Sequence, residues 1–169
     1  ERKLRIGFIS GDLVHSSVLY VTLPTFTHLD PEQFEVYYYH NGNSYDKMTE
    51  QLQAMAQGRW RFTKGLDAQT MEALIRDDQI DILIDLSGHV EHNALETFAR
   101  KPAPVQATWA SYPATTGLAN MDYVITPIIP LKPLTQERVK GMKKNELKHQ
   151  LKEEAVKLYE LKEAEFPEA

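Results

Sequence analysis

Three short stretches gather the residue types that proton transfer or phosphate binding requires: SGDLVHSS at 10–17, SGHVEHN at 87–93 and ASYPATTG at 110–117. In the first, His15 is of the residue type whose unperturbed pKa lies near neutrality and could act as a general base, with neighbouring amides and hydroxyls to hold an oxyanion; equally, a histidine opening a helix serves as a capping or surface residue. The second sets His89, Glu91 and His92 together. That grouping invites a metal, but it lacks the H-E-x-x-H spacing and has no cysteine behind it, so zinc is not expected, and a polar loop capping a helix from about Asn93 accounts for the same residues. The third offers Thr115 and Thr116 before Gly117, either as phosphate contacts or as ordinary turn formers.

Other site classes are set aside by spacing. One glycine, Gly11, stands where the G-x-G-x-x-G dinucleotide fingerprint needs three, and no G-x-S-x-G elbow follows a strand. The chain has no cysteine, which removes disulfides, thiolate nucleophiles and zinc ribbons. A net charge of −5 gives no basic footprint, so no nucleic acid is expected. No apolar run approaches the roughly 18 residues of a membrane span, and the N-terminus ERKLRIG lacks a signal-peptide pattern; no membrane association and a cytoplasmic location are expected.

The elements that must position these loops read as strands alternating with short helices. Residues 4–9 form a β-rich run, and 18–29 follow at near-helical spacing through Leu19, Leu23, Phe26 and Leu29, with Pro24 demanding a bend or an early start. Phe34–Tyr39 is a second strand. Over 47–57, Met48, Leu52 and Met55 share a helical face that Gly58 ends, and RWRF makes a short strand. Asp67 is placed to cap a helix over 68–78 with Met71, Leu74 and Ile75 inward. IDILIDL, at 80–86, is apolar at almost every position, as in a central parallel strand covered on both faces. A helix near 93–100, with Leu95, Phe98 and Ala99 inward, then precedes the strands VQATW and DYVIT. The alternation predicts an α/β fold, a doubly wound Rossmann-like sheet, in which ligands bind where loops converge at the strands' carboxyl ends.

From Pro127 the texture changes. PIIPLKP holds three prolines in seven residues and predicts an extended linker over 127–134. Beyond it, 135–169 predicts a charged amphipathic helical tail, with Leu147, Leu151, Ala155, Leu158 and Leu161 on one stripe. Such a stripe needs a covering surface, and helix-mediated self-association is one expectation.

Taken in order, LRIGFISGDLVHSS, DPEQFEVYYYHNG, IDILIDLSGH, FARKPAPVQATWASYPATTGL and MDYVIT resemble the N-terminal half of the catalytic region of protein O-GlcNAc transferases. The resemblance covers residues 3–126. It implies one lobe of a GT-B glycosyltransferase, two Rossmann-like lobes around a cleft, moving N-acetylglucosamine from UDP to a Ser or Thr hydroxyl with no metal or other cofactor. It also implies that His15 and His89 are the catalytic or sugar-lining histidines, and that Asp12, Gly88, Tyr112, Pro113, Thr115 and Thr116 bind substrate. An acceptor protein and a C-terminal lobe carrying most of the nucleotide contacts are the implied partners, so the chain by itself is expected to be inactive. The sequence departs from the pattern at Val90 and Ala94, where relatives carry threonine and arginine, and at Ser111 and Ala114, where they carry glycine. The first two departures remove a hydroxyl and a guanidinium, the last two narrow the backbone's access to positive φ, and together they keep a second reading open: a non-catalytic Rossmann-like binding or scaffold module. The tail is similar to a helical segment of the bacterial preprotein-translocase motor ATPase, without any Walker A motif.

Overall fold

A computed structural model describes residues 2–110, 112 and 115–125. Glu1–Pro127 forms one compact unit. The linker and amphipathic tail expected over 127–169 lie outside the described residues, as do Ser111, Pro113 and Ala114.

Strands and helices alternate along the chain: β1 (Leu4–Ser10), α1 (Ser17–His28), β2 (Phe34–His40), α2 (Lys47–Ala56), β3 (Trp60–Phe62), α3 (Ala68–Asp77), β4 (Ile82–Asp85), α4 (Leu95–Ala99), β5 (Val105–Trp109) and β6 (Tyr123–Ile125). The six strands form one parallel sheet in the order β3-β2-β1-β4-β5-β6. Chain order reverses between β1 and β4, and that is where an open α/β sheet leaves a crevice beyond its carboxyl ends.

Alternation along β1 builds two cores, because successive side chains leave opposite faces. Phe8 joins Leu19, Phe26, Tyr38, Leu52 and Ile84 on one side, under α1 and α2. Ile9 joins Tyr39, Met71, Ile75, Leu83 and Phe98 on the other, under α3 and α4. Phe8 and Phe26 meet edge to face at 4.7 Å.

Several helices differ in detail from the sequence reading. α1 runs through Pro24 without ending there. α2 stops at a left-handed Gln57 (φ 49°), one residue before Gly58, and Met55 is exposed; Thr49 and Ala56 take the buried positions beside Leu52. α4 is only five residues long and starts at Leu95. Ala99 faces solvent, and the inward positions are Ala94, Thr97 and Phe98. Asp67 caps α3 as expected, its Oδ1 accepting the Thr70 amide at 2.7 Å. Among the described residues no helix is long and apolar enough to cross a membrane.

Candidate functional site

β1, β4 and β5 end side by side, so the three loops singled out in the sequence emerge along one edge of the sheet, those after β1 and β4 at the switch point itself. The loop after β1 is tightly specified. The Asp12 amide donates to Ser10 Oγ at 2.9 Å, and Ser16 Oγ donates to the Asp12 carbonyl at 2.9 Å. Ser16 is the N-cap of α1, accepting the Leu19 amide at 3.1 Å. The cap therefore does not fall to His15, whose side chain is exposed and whose amide donates to Asp46 Oδ2 at 2.7 Å. Asp12 is half-buried.

The loop after β4 hangs on a residue the sequence reading passed over. Asp85, the last residue of β4, is fully buried. Its Oδ1 accepts the Ser87 amide at 3.0 Å, its Oδ2 accepts the Gly88 amide at 2.9 Å, and Thr108 Oγ1 on β5 donates to Oδ2 at 2.9 Å. Burial pushes the Asp85 carboxyl above its ordinary value; those three hydrogen bonds and the nearby His89 pull the other way. The signal was present: an ionisable residue ending the central apolar strand, at the edge where such folds bind ligands.

With the amides of Ser87 and Gly88 fixed, the chain turns through Gly88 in the left-handed region (φ 58°). A Cβ there would stand 2.3 Å from Tyr112 Cβ, so Gly88 admits the third loop to close contact. His89 and Tyr112 meet edge to face, with ring centroids 5.1 Å apart. The structure thus brings together His89, Gly88 and Tyr112 from two loops. Thr116 is buried, its Oγ1 accepting the Leu118 amide at 3.4 Å, and Thr115 Oγ1 accepts the Gly117 amide at 3.1 Å, both turn contacts. Pro113 lies outside the described residues.

The remaining residues of SGHVEHN separate from His89. His92 adopts φ 59° and its Nε2 lies 3.0 Å from Asn43 Nδ2. Glu91 is 3.6 Å from the same ring. Among the described residues no group of three or more His, Asp or Glu could hold a metal ion. Asn93 Oδ1 takes the Leu95 amide at 3.2 Å, as a loop leading into a helix does. Val90 is half-buried, and Ala94 is packed in the apolar cluster with Phe98.

The order of the sheet and the three neighbouring loops define a Rossmann-like lobe whose candidate loops meet at the carboxyl edge around the β1–β4 switch point. The chain belongs to Glycosyl transferase family 41, whose family model matches residues 1–143, extending past the 3–126 span of the resemblance. It is 38% identical over 141 residues to the probable UDP-N-acetylglucosamine-peptide N-acetylglucosaminyltransferase SPINDLY of Arabidopsis thaliana, covering 82% of this chain and 15% of the relative. The SEC enzyme of the same plant, with the same activity in its name, is 29% identical over 126 residues, 74% of this chain and 13% of the relative. A solved O-GlcNAc transferase variant from Thermobaculum terrenum superposes with a TM-score of 0.70 at 43% identity, covering 73% of this chain and 24% of that one. The chain is a partial glycosyltransferase region: it spans about a seventh of the curated relatives it matches. The translocase similarity of the tail is not among these findings.

Proposed function

We propose that this lobe supplies one wall of a GT-B active site that transfers N-acetylglucosamine from UDP to a Ser or Thr hydroxyl of a protein, and that it does not turn over without a second lobe. The observation that carries the reading is the binding edge itself: Asp85 fixes the Ser87 and Gly88 amides, and Gly88 lets Tyr112 close on His89 beside the loop of His15. The activity named for the relatives gives the substrate class.

In such a transfer the acceptor oxygen attacks the sugar's anomeric carbon, the bond from that carbon to the UDP oxygen breaks, and the hydroxyl proton leaves. His15 and His89 line the sugar and offer ring nitrogens for that proton or for sugar hydroxyls. The Tyr112 ring gives the sugar an apolar wall, and Asp12, Thr115 and Thr116 are the polar groups assigned to substrate contacts. Nothing in this set calls for a metal or other cofactor, and UDP-N-acetylglucosamine is the donor substrate. The absence of cysteine suits a reducing compartment, and we assign the chain to the cytoplasm.

A second reading, a non-catalytic module that associates with another protein or with itself, is favoured by β6, where Tyr123, Val124 and Ile125 are all exposed at the sheet's edge. Calorimetric titration with UDP-N-acetylglucosamine, with His15→Ala alongside, separates the two. The enzyme reading expects weak binding that His15→Ala reduces. No heat up to millimolar donor, together with a mass that rises with concentration, would favour the module.

A further inference from the structure

The segment between β2 and α2 carries no candidate site residue, yet it touches two of the three loops that do. Asn41 Nδ2 donates to the His92 carbonyl at 3.0 Å, and Asn43 meets the His92 ring. Gly42 sits so close to the first loop that a Cβ would fall 1.9 Å from the Gly11 carbonyl oxygen. Further on, the N-cap of α2 divides its work between two elements. Asp46 Oδ1 accepts the Thr49 amide at 3.0 Å, closing the cap, while Oδ2 accepts the His15 amide at 2.7 Å. Thr49 Oγ1 in turn accepts the Asp46 amide at 3.2 Å and donates to the Leu13 carbonyl at 2.9 Å. One reciprocal capping box therefore grips the first loop on either side of Val14.

From this geometry we infer that Asp46 is a positioning residue for His15: the carboxylate oxygen not needed to cap α2 sets the backbone from which the His15 ring projects over the site. The inference rests on the reading that His15 faces the donor sugar. A helix cap needs one acceptor, and a carboxylate has a second oxygen to spend. The His15 amide is the largest of the influences holding the Asp46 carboxyl below its ordinary range, as expected of a charge-assisted contact. His15, with its side chain in solvent, has its direction set through its backbone.

Asp46→Asn isolates the second oxygen. The amide oxygen can still cap Thr49, while the NH2 group now faces the His15 N–H donor. Asp67→Asn is the control, since Asp67 caps α3 and its acceptor contact is to Thr70 of that helix. Amide hydrogen exchange and donor titration are measured on the intact chain for both variants and for His15→Ala. In Asp46→Asn the His15 amide is expected to exchange about tenfold faster, the loss of one hydrogen bond to a charged acceptor, with the interior amides of α2 retained. Donor binding weakens in the same direction as in His15→Ala, and Asp67→Asn changes neither readout. Unchanged His15 exchange in Asp46→Asn overturns the inference, as does faster exchange with donor binding that only His15→Ala weakens. Failure of the underlying reading shows separately, as donor binding that His15→Ala leaves untouched; the inference falls with it.

Discussion

Replacing Asp85 by alanine tests how the site edge is built. The carboxylate satisfies the amides of Ser87 and Gly88 and the hydroxyl of Thr108, and all four residues are buried. Alanine leaves two backbone donors without an acceptor, at about 1–3 kcal/mol each, while the Thr108 hydroxyl can rotate to a new partner. Removing a buried charge returns part of that, so the net loss is about 2–4 kcal/mol, a large share of the roughly 5–15 kcal/mol of a typical domain. Asp85→Asn is the informative contrast. Its single oxygen can keep the Ser87 amide at 3.0 Å and the longer 3.2 Å contact of Gly88, and its NH2 can donate to Thr108, but that NH2 also stands where Oδ2 accepted the Gly88 amide at 2.9 Å, so it should cost about 1–2 kcal/mol, less than alanine. Urea unfolding at pH 7 gives both values from midpoints at constant slope. The nuclear Overhauser contact between the His89 and Tyr112 rings should vanish in Asp85→Ala and persist in Asp85→Asn. An alanine variant within about 0.5 kcal/mol of the parent would refute the claim that this carboxylate organises the loop.

The same residue sets a pH dependence. Because burial raises the folded-state value of Asp85 above its unfolded one, the folded chain binds that proton more tightly, so the charged form costs stability from about pH 4 upward through the raised value. Asparagine does not titrate, so the stability of Asp85→Asn relative to the parent should fall as pH drops from 7 towards 4, read from urea midpoints; a relative stability that rises would contradict the sign. Gly88→Ala combines a left-handed φ with a Cβ 2.3 Å from Tyr112 Cβ, so it should lose about 2–4 kcal/mol and displace Tyr112, visible as the loss of its ring contact with His89. Phe8→Ala, at a fully buried position against Phe26 and Tyr38, should cost about 3–5 kcal/mol in the same urea experiment without moving resonances of the loop after β4.

Much of the fold was legible because single signals sufficed. IDILIDL announces a strand covered on both faces, and β4 is the central partner of β1 and β5. Asp67 ahead of an amphipathic run announces α3. Where the reading slipped, a local rule met a competitor it could not see. Met55 has the spacing of a core residue, but α2 lies against the sheet through Thr49, Leu52 and Ala56, and the flexible thioether is left outside. Ala99 fits a helical stripe, but α4 is too short for a stripe to form, and Thr97 and Phe98 are the residues it buries.

The site divides in the same way. The three loops were identifiable from residue type and from their place after strands, and His89 and Tyr112 do come together. Asp85 was visible as a residue but not as an organiser, because its partners include Thr108, 23 positions away. Asp46 reaches His15 across 31 positions. Neither contact has a periodicity or motif to betray it, since each exists only once the parallel sheet sets β1, β2, β4 and β5 in register.

The most direct test of the central claim is a titration of the isotopically labelled chain with UDP-N-acetylglucosamine, followed through its backbone amide resonances. If this lobe is one wall of a sugar-nucleotide site, millimolar donor shifts the amides of Asp12, His15, Gly88, His89 and Tyr112, and no free UDP appears without a second lobe. Shifts confined to the amino ends of the strands, or none at these residues up to saturating donor, would contradict it.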